Sequence, residues 1–280
     1  MKIGVVGLGL IGGSLAKAYT RAGYDVFGED IDKATEDYAI MSHACARHLE
    51  GNISECDCIF IALYPQATVD FLEKNAGKIK RGSLVADCCG VKRILCERCF
   101  AIARDYGFHF IGAHPMAGIQ YSGFKYSRAD MFDGATMLIV PRPAEDMAVI
   151  GRLNDVLKTA GFASVTTTSA EEHDRIIAFT SQLAHVVSNA YIKSPTAERH
   201  HRFSAGSYRD LTRVAKLSED MWSELFIDNA DNLAFELDVI IASLSEYRDA
   251  IRAGEREKLR GLLRDGREKK EAIDTEWRQQ

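Results

Sequence analysis

The sequence predicts an α/β chain, with a doubly wound, mostly parallel sheet at the N-terminus followed by an all-helical domain. Three observations carry this. Short β-branched apolar runs alternate with helix-length stretches up to about residue 168, and a glycine-rich turn joins the first run to the first helix. Beyond Ser169 only helical spacing remains. The expected domains are therefore 1–168 and 169–280, which suits a 280-residue chain when a domain averages ~150 residues.

The first element is the strand Lys2–Val6, and Gly7, Gly9 and Gly12 follow it at G-x-G-x-x-G spacing. Each glycine has its own task. Gly7 allows a tight turn, Gly9 lets backbone N–H groups approach a pyrophosphate, and Gly12 lets the next helix pack closely on its strand. That helix, about 11–21, points its positive N-terminus at the anion and stops at Gly23, a C-cap. A second strand, 25–28, leads into Glu29 and Asp30. Asp30 lies 18 residues after Gly12, where a carboxylate takes the adenosine ribose hydroxyls, which favours NAD over NADP; Asp32 is the competing acid. Leu10 and Ile11 in the turn and Leu63 at the end of the next apolar strand complete the expected cofactor-binding set.

Strand 56–63 is broken by Tyr64-Pro65 and followed by a helix over 66–79. Strand 83–87 ends in C-C-G-V-K before helix 93–106; strand 109–113 ends in His114-Pro115; strand 135–140 ends at Pro141; helix 144–160 and strand 162–168 close the sheet. Ligands of doubly wound sheets bind beyond the strands' carboxyl ends, so the loops at Pro65, Pro115 and Pro141 are expected to converge on one site. In the helical part, Ile176, Phe179, Leu183, Val186 and Ala190 form the face expected to pack, and Asp174, Ala178, Ser181, His185 and Ser188 a small polar face toward a cleft. Residues 219–253 read as one long helix ending at Gly254. The charged stretch 255–280 carries Leu259, Leu262, Leu263, Ile273 and Trp277 as its apolar side. Helices this long need a partner surface, which a homodimer supplies.

A net charge of −5 and a pI near 5.9 argue against nucleic acid or an anionic membrane as partner, leaving a small molecule. No leader opens the chain and no apolar run approaches the ~20 residues of a membrane span, so a cytoplasmic location is expected. Seven cysteines, an odd number with Cys88 and Cys89 adjacent, suit reduced thiols. Cys88, Cys89, Cys96 and Cys99 could in principle hold zinc, but Cys96 and Cys99 fall three apart in a helix-like segment, and no metal is expected.

The second signature is I-G-A-H-P-M-A-G-I-Q-Y-S-G, read as a loop where the nicotinamide end should arrive. A neutral imidazole there, His114, can take a proton from a hydroxyl as its carbon gives up hydride. G-L-G-L-I-G-G-S with A-H-P-M-A-G, preceded by D-x-x-G-V-K and followed by S-Y-R-D-L-T-R-V-A and M-W, resembles the prephenate dehydrogenase family of tyrosine biosynthesis over 1–267. The resemblance implies a Rossmann-like domain, a helical dimerisation domain and NAD-dependent oxidative decarboxylation of prephenate to 4-hydroxyphenylpyruvate, with arogenate as the rival substrate. A non-catalytic NAD-binding regulator is a further alternative.

Under the resemblance His114 is the catalytic histidine, Arg213 binds a substrate carboxylate, Asp210 is its neighbouring acid, and Lys92 is linked to substrate binding. Gln120 takes a substrate-side position where many members carry an acid or histidine, which removes any proton relay through it. Trp222 matches a tryptophan near the domain interface, while His173, Asp174 and His185 match positions read as structural or as supports behind the catalytic residues. Departures are Gly90 in place of a serine, and Gln182 and Ala184 in place of histidine and proline. The E-R-H-H-R run, 198–202, reads as a solvated loop, and no segment for a fused mutase or tyrosine sensor is expected.

Overall fold

The structure, a computed structural model, describes residues 1–200 and 202–279, excepting the side chains of 276–279. His201 and the Trp277 side chain, both singled out above, lie outside the described residues. Eight strands form one sheet: β1 (Lys2–Val6), β2 (Asp25–Glu29), β3 (Arg47–His48), β4 (Cys58–Ile61), β5 (Leu84–Asp87), β6 (His109–Pro115), β7 (Thr136–Pro141) and β8 (Ser164–Thr167). Their order is β3-β2-β1-β4-β5-β6-β7-β8, parallel throughout except between β6 and β7. Helices α1 (Leu10–Arg21), α2 (Lys33–Met41), α3 (Pro65–Asn75), α4 (Arg93–Tyr106) and α5 (Met147–Thr159) cover it.

Period-two alternation explains the two cores. Ile3, Val5, Cys58 and Phe60 meet Leu15, Tyr19 and Phe132 on one face, whereas Val6, Ile59, Ile61 and Val85 meet Leu72, Leu95 and Phe110 on the other. Both faces of β4 and β5 are buried, which is why those strands read as unbroken apolar runs.

Two features escaped the sequence reading. Helix α2 buries only Glu36 and Ala39 and so shows no apolar stripe; its start is fixed instead by Asp32, which accepts from the N–H groups of Ala34 and Thr35. The two-residue edge strand β3 is too short to carry a pattern. One expectation is overturned. Because β7 runs antiparallel to β6, with Ile111 opposite Pro141 and Pro115 opposite Met137, Pro141 falls at the far end of β6 from Pro115. Its loop therefore leaves the carboxyl-end edge. His114 itself lies inside β6, held by the pairing with β7, and not on a loop after it.

The chain then continues as α6 (Ala170–Ile177), a π-helical turn (Ala178–Leu183), α7 (Ala184–Ile192), α8 (Gly206–Thr212) and α9 (Glu219–Asp228); Met1–Ala230 form one compact unit. Here the two helix faces depart from the expectation in part: Leu183 is buried as expected, Ser181 and His185 are half-buried, and the sharpest departures lie at the start of each face. Asp174, Ala178 and Ser188 are buried, while Ile176 and Phe179 are 42% and 59% exposed. Asp174 can pack there because partners elsewhere in the unit satisfy it, as described below, whereas the Ser188 hydroxyl is buried without a hydrogen-bond partner among the described residues.

The second unit, Asp231–Gln280, holds most of α10 (Ala230–Ala253) and α11 (Arg256–Gln279), a helical hairpin turned at Gly254 (φ +68°) and tied by Tyr247 Oη–H donating to Leu262 O (3.1 Å). The single helix expected over 219–253 is broken at Asn229, whose φ of −123° and ψ of 30° end α9. Phe235, Ile241, Leu244, Ile251 and Leu263 stay exposed. Among the described residues no helix is long and apolar enough to cross a membrane.

Candidate active site

The carboxyl ends of β2, β1, β4, β5 and β6 stand side by side, and in that order carry Asp30, the glycine turn, Leu63, the Cys88–Lys92 segment and His114. At ~4.8 Å per strand, the three steps from β1 to β6 put the histidine roughly 14 Å along the edge from the glycine turn. The order reverses at β1, which makes this edge the crevice where doubly wound sheets bind ligands.

Each glycine of the turn has the geometry its position predicts. Gly7 has φ +82° and donates its N–H to Glu29 O at 2.8 Å. A Cβ on Gly12 would sit 1.8 Å from Gly7 O, so only glycine lets α1 approach β1 this closely. A Cβ on Gly9 would meet nothing within 4 Å, and α1 has no side-chain cap; its first N–H groups face open space able to take an anion. Asp30 anchors the turn: its Oδ2 accepts from Leu8 N–H (2.7 Å) and its Oδ1 from Asp32 N–H (2.9 Å). Asp32 is occupied in capping α2, which leaves Asp30 as the acid at the end of β2. Leu10 and Ile11 are half-buried at the start of α1, and half-buried Leu63 lies against Gly7.

Around His114 the chain builds a buried polar network. His114 Nδ1 lies 2.9 Å from His173 Nε2, and His173 Nδ1 lies 2.7 Å from Asp174 Oδ1. Asp174 also accepts from the backbone N–H groups of Lys92 (2.8 Å) and Arg93 (2.9 Å), closing the start of α4 from another helix. Asn229, fully buried, donates to Asp174 O and to Gln182 Oε1, both at 2.8 Å, and accepts from Arg93 Nη2 at 3.1 Å. Gln182 in turn donates to Leu225 O. Burial, reinforced by the charges of His173 and Lys92, pushes the His114 imidazole well below its ordinary range. Burial also lowers His173, against the opposing pull of Asp174.

Lys92 is not where the resemblance puts it. It is fully buried, and its ammonium donates to Asp87, to Cys89 O (2.9 Å) and to Val91 O (3.1 Å), so no donor is left for a substrate. Burial alone would lower its pKa, but Asp87 more than offsets this and keeps it charged. Asp87 uses its other oxygen to accept Ala113 N–H (2.9 Å), next to His114. The lysine thus braces the strand ends from below.

Arg213, exposed at the end of α8, lies close enough to His185 to lower its pKa, after burial, and makes no ion pair with Asp210, which is exposed as well. The His185 ring stacks on Trp222 at 3.9 Å. Leu225, one turn further along α9, lies 3.4 Å from where a Cβ on Gly90 would stand, and His114 Cε1 is 4.0 Å from the same point. Leu225 and Trp222, one turn apart on α9, thus stand beside Gly90 and His185 respectively. Gln120 is exposed in the segment after β6. Arg199 and His200, read as part of a solvated loop, line a cavity of about 740 Å³ with Tyr191, Phe203 and Tyr208, and His200 stacks on Tyr208 at 4.5 Å.

Asn229, Asp87 and Gln182 were not foreseen as site supports; an asparagine ending an amphipathic helix is the one local hint for the first. Among the described residues no cluster of His, Cys, Asp or Glu is placed to hold a metal ion, and burial pushes the Cys89, Cys96 and Cys99 thiols up, away from the thiolate a metal needs.

A glycine turn, an acid and a half-buried histidine along one edge of a doubly wound sheet, backed by a buried polar network, define a dehydrogenase with a nucleotide-binding domain. A family model described as the prephenate dehydrogenase nucleotide-binding domain matches residues 15–166, and one described as the dimerization domain matches 169–265. The chain belongs to the prephenate dehydrogenase family. It is 27% identical to prephenate dehydrogenase of Bacillus subtilis (strain 168), over 91% of this chain and 71% of that one. It is 28% identical to cyclohexadienyl dehydrogenase of Zymomonas mobilis, over 98% and 96%. In fold it is similar to prephenate dehydrogenase from A. aeolicus in complex with hydroxyphenyl propionate and NAD+, with a TM-score of 0.85 and 24% identity, covering 98% of both chains.

Proposed function

We propose that this chain oxidises prephenate with NAD, releasing CO2 and 4-hydroxyphenylpyruvate, and that 169–280 serve substrate binding and pairing with a second copy. The open first turn of α1 receives the pyrophosphate and Asp30 the adenosine ribose. NAD, when bound, accepts a hydride. His114 takes the proton of the ring hydroxyl as the hydride leaves the same carbon; the bond to the ring carboxylate breaks, CO2 departs and the ring becomes aromatic. Arg213, its guanidinium not engaged by Asp210, offers a planar fork to a carboxylate of the dianionic substrate. Orientation and charge pairing are the protein's main contribution, because aromatisation supplies much of the driving force.

The observation that carries this reading is the half-buried imidazole of His114, pushed well below its ordinary range on the same sheet edge as the glycine turn. His114→Asn should keep NAD affinity and lose turnover by roughly 10²- to 10⁴-fold, the usual contribution of one base, followed as NADH absorbance. Full turnover in that variant would place the base elsewhere. Arogenate, with an amino group in place of the keto group, is the second reading, because a relative of equal similarity is named for cyclohexadienyl substrates as a class. Comparing kcat/KM for the two substrates separates them.

A further inference from the structure

We infer that His173 is a positioning residue that sets the tautomer of His114, placing the proton on Nδ1 and leaving Nε2 as the free base. This rests on the reading of His114 as the base, and Asp174 fixes the sequence of protons. That carboxylate accepts two backbone N–H groups at the start of α4, where the helix end is itself positive, and Arg93 Nε lies 3.4 Å from Oδ2. An ionised carboxylate so held only accepts, so the 2.7 Å contact with His173 Nδ1 must be filled by the histidine's proton.

A neutral His173 with its proton on Nδ1 has a lone pair on Nε2. The 2.9 Å contact from there to His114 Nδ1 is then filled by His114's proton. Burial supports the neutral form, and with 2% exposure His173 has little room to turn over. The two rings meet at 56° with centroids 5.2 Å apart, an edge contact suited to an N–H···N bond and not to stacking. When His114 takes up a proton on Nε2, its Nδ1–H stays on a ring backed by a carboxylate; the bonds polarise and no proton moves through His173.

The test combines one direct observation with two variants. Nitrogen-15 NMR of histidine-labelled, NAD-bound protein should report His114 as the Nδ1–H tautomer; finding Nε2–H in the wild type overturns the proposal with no variant needed. His173→Leu, which removes the acceptor, should lower kcat on the order of 100-fold with KM and NAD affinity nearly unchanged, and move His114 toward the Nε2–H form. His173→Gln keeps an acceptor oxygen near the Nε2 position and should recover about tenfold of that loss, which a merely structural role would not predict. Unchanged kcat in His173→Leu beside an inactive His114→Asn sinks the tautomer relay alone. An active His114→Asn sinks the base assignment.

Discussion

The glycine turn permits a paired experiment in which one methyl group disrupts the fold and another blocks the ligand. In Gly12→Ala the new Cβ would stand 1.8 Å from Gly7 O and 3.1 Å from Ala62 Cβ, against an ordinary contact of 3.4 Å or more. Gly7 O cannot retreat, because its residue's N–H is bound to Glu29 O at 2.8 Å and its φ is +82°. Helix α1 must therefore move outward by about 1.5 Å, and the cost belongs at the upper end of overpacking, about 3 kcal/mol. For a unit of this size that lowers the Tm of the ligand-free protein by ~6–12 °C. Gly9→Ala meets no atom within 4 Å, and its φ of −71° suits alanine. Only the poorer cap at the start of α1 costs anything, about 1 kcal/mol or less. Its methyl group points into the space reserved for the pyrophosphate, so NAD should bind roughly 10- to 100-fold more weakly, equivalent to ~1.4–2.8 kcal/mol. Calorimetric unfolding and NAD titration of both variants give the two readouts. A Gly12→Ala protein melting with the wild type would refute the close packing of α1 on β1, and a Gly9→Ala protein with wild-type NAD affinity would refute the placement of the cofactor on this turn.

Asn229→Ala removes at least three hydrogen bonds of ~1 kcal/mol each, two of them buried, and strands Gln182 Oε1, so urea unfolding should show a loss of about 3 kcal/mol or more; a loss below about 1 would mean the network is not stabilising. Arg213→Ala should raise KM for prephenate by roughly 10- to 100-fold, as expected for charge-assisted hydrogen bonds, with stability changed by less than about 0.5 kcal/mol since the side chain is exposed; an unchanged KM removes it from the site. His114 and His173 are both held below their ordinary range, so between the folded values and the unfolded value of ~6.5 the unfolded chain binds more protons. Their contribution is fully present above that unfolded value and is lost as pH falls. Tm should drop on acidification from about pH 7.5 to 5.5, more in the wild type than in His173→Gln, and equal slopes would count against it.

The nucleotide-binding half was legible in the sequence because its determinants are local. Gly7, Gly9 and Gly12 act within one turn and on the helix that follows, and Val5, Phe60 and Val85 show their alternation within single strands. The direction of β7 was not legible: its apolar content is the same either way, and only pairing with β6 distinguishes antiparallel from parallel. Lys92 misled for a related reason. A lysine after a strand resembles a substrate contact until Asp87, five residues earlier, is seen to take its charge in the interior.

The helical half failed more instructively. Apolar periodicity assigned Ile176, Phe179 and Leu183 to the packed face, yet of these only Leu183 is buried, and Asp174, Ala178 and Ser188 are buried with it. A carboxylate such as Asp174 can be buried only where its partners are supplied, and these lie far along the chain: Lys92 and Arg93 are 82 and 81 residues from Asp174, and Arg93 is 136 from Asn229. No window of sequence contains both ends of such a bond. Burying that face also has a functional consequence, since it draws His173 onto His114 through the start of α4, whereas packing of the apolar face would have turned both His173 and Asp174 away from the sheet edge. The same rotation that makes the helix unreadable from its periodicity is what joins its histidine to the one on β6.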